Sequence, residues 1–192
     1  MNFSATSLTY LSAIVWVFPP LRQYRTFFFK YFLILAISDI LDLLFLNFFR
    51  IKIPSLYIFI SFCLLIALQN SEYLKKKKLV LIGLVLLVSC LSFFRIGNNS
   101  YLTLIALLHL MVIIRILYLF IIVVAQKQTI SFFYLVLTFY EFTVLLKFSN
   151  YLFPFNVEAH TYFYITTGFE LLVGIFFTLF REESPKLVYK LK

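Results

Sequence analysis

Asp39, Asp42, Glu141 and Glu170 are carboxylates set within long apolar runs of a 192-residue chain. An ionisable side chain inside a membrane-spanning segment is costly. It faces the bundle interior or a water-filled path, so each acid marks a candidate proton, ion or solute site. His109 and Arg115 lie in a fifth apolar run. Counted from the run ends at about 1.5 Å per residue, Asp39, Glu141, Glu170 and Arg115 fall in one layer near the bilayer midplane. Asp42 sits one turn outward of Asp39, and His109 lies outward of Arg115. Arg115 paired with one carboxylate would lock the bundle, since buried charges are normally paired. Four acids exceed one Arg, so at least one must hold a proton, a cation or a polar ligand. Thr166 and Thr167 precede Glu170 by four and three residues, which places all three on one helix face. Ser38 and Asp42 are related in the same way. Hydroxyls in lipid can also satisfy their own helix backbone.

Other chemistries find little here. The chain has no CxxC, HExxH, Gly-rich phosphate loop or GxSxG. Two His and two separated Cys, Cys63 and Cys90, make a dedicated zinc site or a disulfide framework improbable. No cofactor is expected, and no enzymatic activity. Asp39-x-x-Asp42 could hold Mg²⁺ for a lipid-phosphate reaction, although such chemistry belongs nearer the interface. Lys147 lies about 240° around its helix from Glu141 and is expected to snorkel to the outer interface. The last apolar run holds no Lys, which disfavours a retinal Schiff base.

The elements that must position these groups follow from composition. The chain is 63% hydrophobic and 13% charged, with mean hydropathy +1.00. A soluble domain is about half apolar and about a quarter charged. At about 20 residues per span there is room for six to eight spans and no soluble domain. Apolar runs separated by polar breaks give seven helices: Phe3 to Pro20, Tyr31 to Phe49, Ser55 to Asn70, Leu79 to Phe94, Ser100 to Ala125, Ile130 to Phe153 and Thr161 to Phe180. Pro19-Pro20 is expected to close the first. Residues 1–180 form one transmembrane domain, and 181–192 a short basic tail.

Orientation comes from Lys and Arg. Twelve fall on the side of the tail and of the loops after helices 1, 3 and 5, against three on the other side. The positive-inside rule then puts the N-terminus outside and the C-terminus in the cytoplasm. The first apolar run lacks a basic flank and a small-residue cleavage site, and reads as a retained span. The net charge of +9 reflects loops at a membrane surface, not nucleic-acid binding. The Lys75 to Lys78 run is a topology anchor, with anionic lipid as its sharper alternative. The abundant Phe reads as codon bias. The expected location is the cytoplasmic membrane of a bacterium.

Sliding helix 2 by 102 positions aligns Arg25 with Lys127 and Asp39 with Glu141. Such a match implies two parallel copies, a 3+1+3 plan with a site at the repeat interface. The segment Pro19-Pro20-Leu21-Arg22-Gln23-Tyr24-Arg25-Thr26 resembles the end of helix 1 in PQ-loop and SWEET-type proteins. It departs from them where Pro20 is followed by Leu21 instead of Gln, and no Pro matches in helix 5. The resemblance implies seven helices, an external N-terminus and alternating access for a small polar solute. The function expected is binding or passage of a small polar or cationic solute, with proton coupling. Asp39, Glu141 and Glu170 would be its titratable core, Arg115 its counter-charge, and Asp42 and His109 the outward path. A seven-helix sensor or subunit of a membrane or cytoplasmic partner, using the tail and the lysine loop, is the alternative.

Overall fold

The computed structural model describes residues 3–45, 48, 54–69, 76, 98–152 and 159–190. Its long helices are α1 Phe3–Trp16, α3 Phe29–Leu44, α4 Pro54–Ala67, α5 Asn98–Lys127, α6 Phe132–Leu152 and α7 Ala159–Leu179. A short α2, Phe18–Arg22, follows α1. A two-stranded antiparallel ribbon joins β1 Thr129–Ser131 to β2 Val188–Lys190. The helix expected over 79–94, Cys90 and the lysine run apart from the exposed Lys76 lie outside the described residues.

Residues 99–127, 132–150 and 161–179 are long and apolar enough to cross a bilayer, and the chain is a helical membrane protein. At about 1.5 Å per residue, α5 is about 45 Å long and exceeds a hydrocarbon core of about 30 Å. Its exterior matches lipid: Ile114, Ile121, Phe139, Ile165, Leu172 and Leu179 are all more than half exposed. Soluble folds do not leave such a belt uncovered.

The helices close a ring. α1 packs on α3 and α7, α3 on α4, α4 on α5, α5 on α6, and α6 on α7. At one end of the ring the interior is aromatic. Phe32 and Phe177 ring centroids are 4.7 Å apart, Phe133 and Phe177 are 5.0 Å apart, and Phe28 and Phe133 are 5.4 Å apart. Phe28, Phe32, Phe133 and Phe177 are fully buried, and Trp16 joins them from α1. Offset and edge-on ring pairs of this kind add to simple burial.

Three boundaries differ from the sequence expectation. Pro19 and Pro20 do not close the first helix. That helix breaks at Val17, whose N–H bonds Ile14 O at 3.2 Å, and both prolines sit buried in α2. Proline fits a first helical turn because its missing N–H would have no partner there. Residues 130 and 131 are not helical but pair with the tail, so α6 starts at Phe132. The tail is not a free extension either. Gln23, fully buried, donates from Nε2 to Phe177 O at 3.2 Å and Phe180 O at 2.8 Å, and accepts from Glu182 N–H at 3.2 Å. Tyr134 donates to Glu182 at 2.9 Å, and Arg181 donates to Tyr24 O at 3.1 Å. These bonds satisfy the last carbonyls of α7, which have no partner within the helix.

Candidate functional site

A cavity of about 270 Å³ lies inside the ring and is lined from α1, α3, α4, α5, α6 and α7. At about 30 Å³ per liquid water, that is room for roughly nine waters or one small solute. Its polar lining includes Ser12, Ser38, Asp39, Asp42, Tyr57, Ser61, His109, Lys147, Thr167 and Glu170. Trp16, Tyr140, Phe148 and Phe163 give it aromatic walls, and Trp16 ties its floor to the aromatic end of the ring. Trp16 and Tyr140 ring centroids are 4.6 Å apart.

The acids are held in different ways. Lys147 on α6 donates to Glu170 Oε1 on α7 at 2.5 Å, with both side chains part-buried. Tyr57 on α4 donates to Asp42 Oδ1 on α3 at 2.5 Å. The Asp39 carboxyl has neither a hydrogen bond nor an ion pair among the described residues, although it lies close enough to Glu170, Asp42 and Lys147 to feel their charges. Among the described residues, three carboxyl groups thus share a half-enclosed space with one ammonium.

Glu141 stands apart. It is fully buried and does not line the cavity. Its Oε2 lies 2.7 Å from His109 Nδ1, and its Oε1 accepts from Tyr31. His109 Nε2 is 3.1 Å from Ser61 Oγ, and the ring stacks on Phe148 at 5.5 Å. Ser61 Oγ is also 2.7 Å from Tyr57 O. A serine hydroxyl carries one proton, and the shorter contact to a carbonyl claims it. The ring nitrogens of His109 meet a hydroxyl at Nε2 and a carboxyl at Nδ1.

Of the residues singled out from sequence, Asp39, Asp42, His109, Thr167 and Glu170 meet at the cavity, with Glu141 one bond behind His109. Two do not join them. Arg115 is no counter-charge to an acid among the described residues: its Nε donates to Leu68 O at 3.1 Å and its guanidinium lies over Tyr118. Six residues separate it from His109, which is about 9 Å along the helix and about 240° around it. Thr166 Oγ1 bonds Tyr162 O at 2.9 Å and Phe163 O at 3.2 Å, serving its own helix. Lys147 pairs with Glu170 and lines the cavity. Tyr31, Tyr57 and Ser61 were not anticipated. Hydroxyl side chains are common throughout the chain, and spacing alone does not distinguish the ones that face an acid. Among the described residues, no three His, Cys, Asp or Glu side chains converge on a metal position.

Comparison with protein-family models, with curated proteins and with solved structures finds no match to this chain.

Proposed function

We propose that this protein binds a small polar or cationic solute within its helical ring and moves it across the membrane. One observation carries the reading: Asp39, Asp42 and Glu170 face one cavity whose single ammonium among the described residues, Lys147, is already engaged by Glu170. With the acids ionised the cavity holds an excess of negative charge at low dielectric, where an ion is worth far more than in water. Asp39 is the group left to meet an incoming cation, and Trp16, Tyr57 and Phe148 offer the faces on which organic cations rest. The size fits a solute of amine or guanidine dimensions.

The finer architecture belongs to the same proposal. An additional helix over 79–94 would complete seven spans, with the N-terminus outside and the tail in the cytoplasm of a bacterial cell. The aromatic end of the ring, with Gln23 and the tail bound beneath it, then seals the cavity from the cytoplasm. The cavity lies on the outer side, as in one state of an alternating-access cycle. Opposed α3 and α6 carry Asp39 and Glu141, in keeping with the 3+1+3 plan.

Proteoliposomes given radiolabelled guanidinium test the reading. Uptake by the wild type that falls at least tenfold in Asp39→Asn is the expected result. Uptake equal to that of empty liposomes, together with unimpaired folding, contradicts transport. It would favour a sensor or partner subunit, whose output would pass through the exposed strand Val188–Lys190.

A further inference from the structure

We infer that Arg22, Arg25 and Arg181 form a binding site for the phosphate headgroup of an anionic phospholipid, at the turn between α2 and α3. Neither the cavity nor a transported solute enters into it. Three features of the geometry carry it: the depth of the turn, its unmatched charge and its backbone.

The turn lies at the membrane surface. Gln23, the residue after α2, donates to Phe177 O and Phe180 O, and the apolar span on α7 ends at Leu179. Arg22 and Arg25 flank Gln23 and are level with the end of that span, where headgroups begin. Toward the bilayer from them, Ile14, Phe18 and Leu21 are 58%, 47% and 70% exposed. Val17 keeps helical angles between α1 and α2, φ −69° and ψ −28°. Spacings of four and three residues therefore align these side chains in one column that ends at Arg22. A phospholipid has the matching shape, an acyl chain beneath a charged phosphate.

The charge at the turn is unmatched. Arg22 and Arg25 are exposed, Arg181 is half-buried, and none forms an ion pair among the described residues. Arg181 Nη2 donates to Tyr24 O at 3.1 Å, which holds this guanidinium beside the turn. The Arg25 guanidinium lies over the Tyr24 ring, 5.4 Å from its centroid. Tyr24 thus has one guanidinium on its ring and another on its carbonyl. The acids that follow Arg181 are placed elsewhere: Glu182 accepts from Tyr134 and stands near Lys127, and Glu183 is exposed. Guanidinium groups present paired N–H donors that match phosphate oxygens, and neighbouring like charges are relieved by an anion between them. A zwitterionic headgroup would bring an ammonium against the same three cations. The site therefore favours a headgroup of net negative charge.

The backbone of the turn adds the third feature. Arg25 has φ of 67°, a region that residues other than glycine seldom occupy. Thr26 fastens the turn, its N–H and its hydroxyl both donating to Gln23 O, at 2.9 Å and 2.8 Å. Gly or Asn is the usual choice at such a position. Arginine brings the turn no conformational advantage; what it adds is a second guanidinium three residues after Arg22. A soluble phosphate would meet the same donors but leave Phe18 and Leu21 without a partner, so the apolar column favours a lipid.

Spin-labelled lipids test the site on the full chain reconstituted in phosphatidylcholine. In the wild type, spin-labelled phosphatidylglycerol should associate about fivefold more strongly than spin-labelled phosphatidylcholine, the worth of one basic residue beside anionic lipid. Arg22→Gln with Arg25→Asn should abolish the preference, and Asn accepts the positive φ, so the turn is kept. Lys186→Gln with Lys190→Gln removes the same charge from exposed positions of the tail and should leave most of the preference in place. Inorganic phosphate in millimolar excess should not displace the lipid. No preference in the wild type overturns the inference. An equal loss in both double variants also overturns it, since diffuse surface charge would then be the cause. Displacement by inorganic phosphate would assign the arginines to a soluble anion and overturn the lipid assignment.

Discussion

Lys147 Nζ meets Glu170 Oε1 at 2.5 Å across the α6–α7 seam, on the wall of the cavity that also holds Asp39. The cavity thus contains its own cation, tethered to one of the acids. An incoming cation competes with it. Lys147→Met removes the competitor and leaves Glu170 free, so cation affinity should rise on the order of tenfold, equivalent to about 1.4 kcal/mol. Titration of Trp16 emission with guanidinium would check this. An affinity unchanged or lowered would mean that Lys147 helps to bind the solute.

The α1–α7 seam depends on one missing side chain. A Cβ on Gly174 would lie 2.8 Å from Val15 Cγ1 and 3.4 Å from Trp16 Nε1. Val15 is branched and stiff, so Gly174→Ala should destabilise by about 1–3 kcal/mol, as overpacking does. Gly168 has nothing within 4 Å of its added Cβ. Gly168→Ala should stabilise by up to about 1 kcal/mol through helix propensity. Unfolding of the two variants in nanodiscs should therefore shift in opposite directions.

Gln23 is the buried clasp between the α2–α3 turn and the end of α7. Gln23→Leu keeps similar bulk but leaves two carbonyls and one N–H without their partner. Each orphaned buried group costs about 1–3 kcal/mol. The expected result is faster hydrogen exchange in 177–190 with α4 and α5 unaffected. Uniform exchange would mean that the clasp is redundant.

The same region should respond to pH. Burial raises the ionisation of Glu182 above the usual carboxylate range, the neighbouring Glu183 adds to it, and the Tyr134 hydroxyl, the Phe27 backbone N–H and Lys127 oppose it. In the unfolded segment the carboxyl ionises at its ordinary value; in the folded one it does so at higher pH. Between the two values folding takes up a proton. The contribution of Glu182 is fully present below the ordinary range and is lost as pH rises through the folded value. Protection of the β1–β2 amides should fall across that window in the wild type and stay level in Glu182→Gln.

Much of this bundle is legible in the amino-acid sequence. The apolar runs place α3, α5, α6 and α7, and the intramembrane acids identify the region that matters. What spacing cannot provide is rotation about each helix axis. Depth counting put Arg115 in the acid layer, yet it faces Leu68, whereas His109 on the same helix faces Glu141. The helices are apolar on most faces, so periodicity carries little directional signal. The distance of Lys147 around α6 from Glu141 says nothing of its partner, Glu170, which is on the next helix. β1 and β2 escaped notice because a three-residue strand has no period to detect, and its partner lies 57 or more residues away in sequence. Gln128, with φ of 51°, ends α5 in a conformation more often given to glycine. No glycine marked that stop.

The chain has a single tryptophan, and Trp16 lines the cavity. Its fluorescence therefore tests the central claim most directly. Quenching by caesium, by iodide and by neutral acrylamide should be compared in nanodiscs for the wild type and for Asp39→Asn with Glu170→Gln. A cation-selective cavity gives a caesium constant several-fold above that of iodide in the wild type, with the difference removed in the double variant. Equal quenching by caesium and iodide, or a caesium preference that survives loss of both carboxylates, would contradict the claim that these acids select what enters.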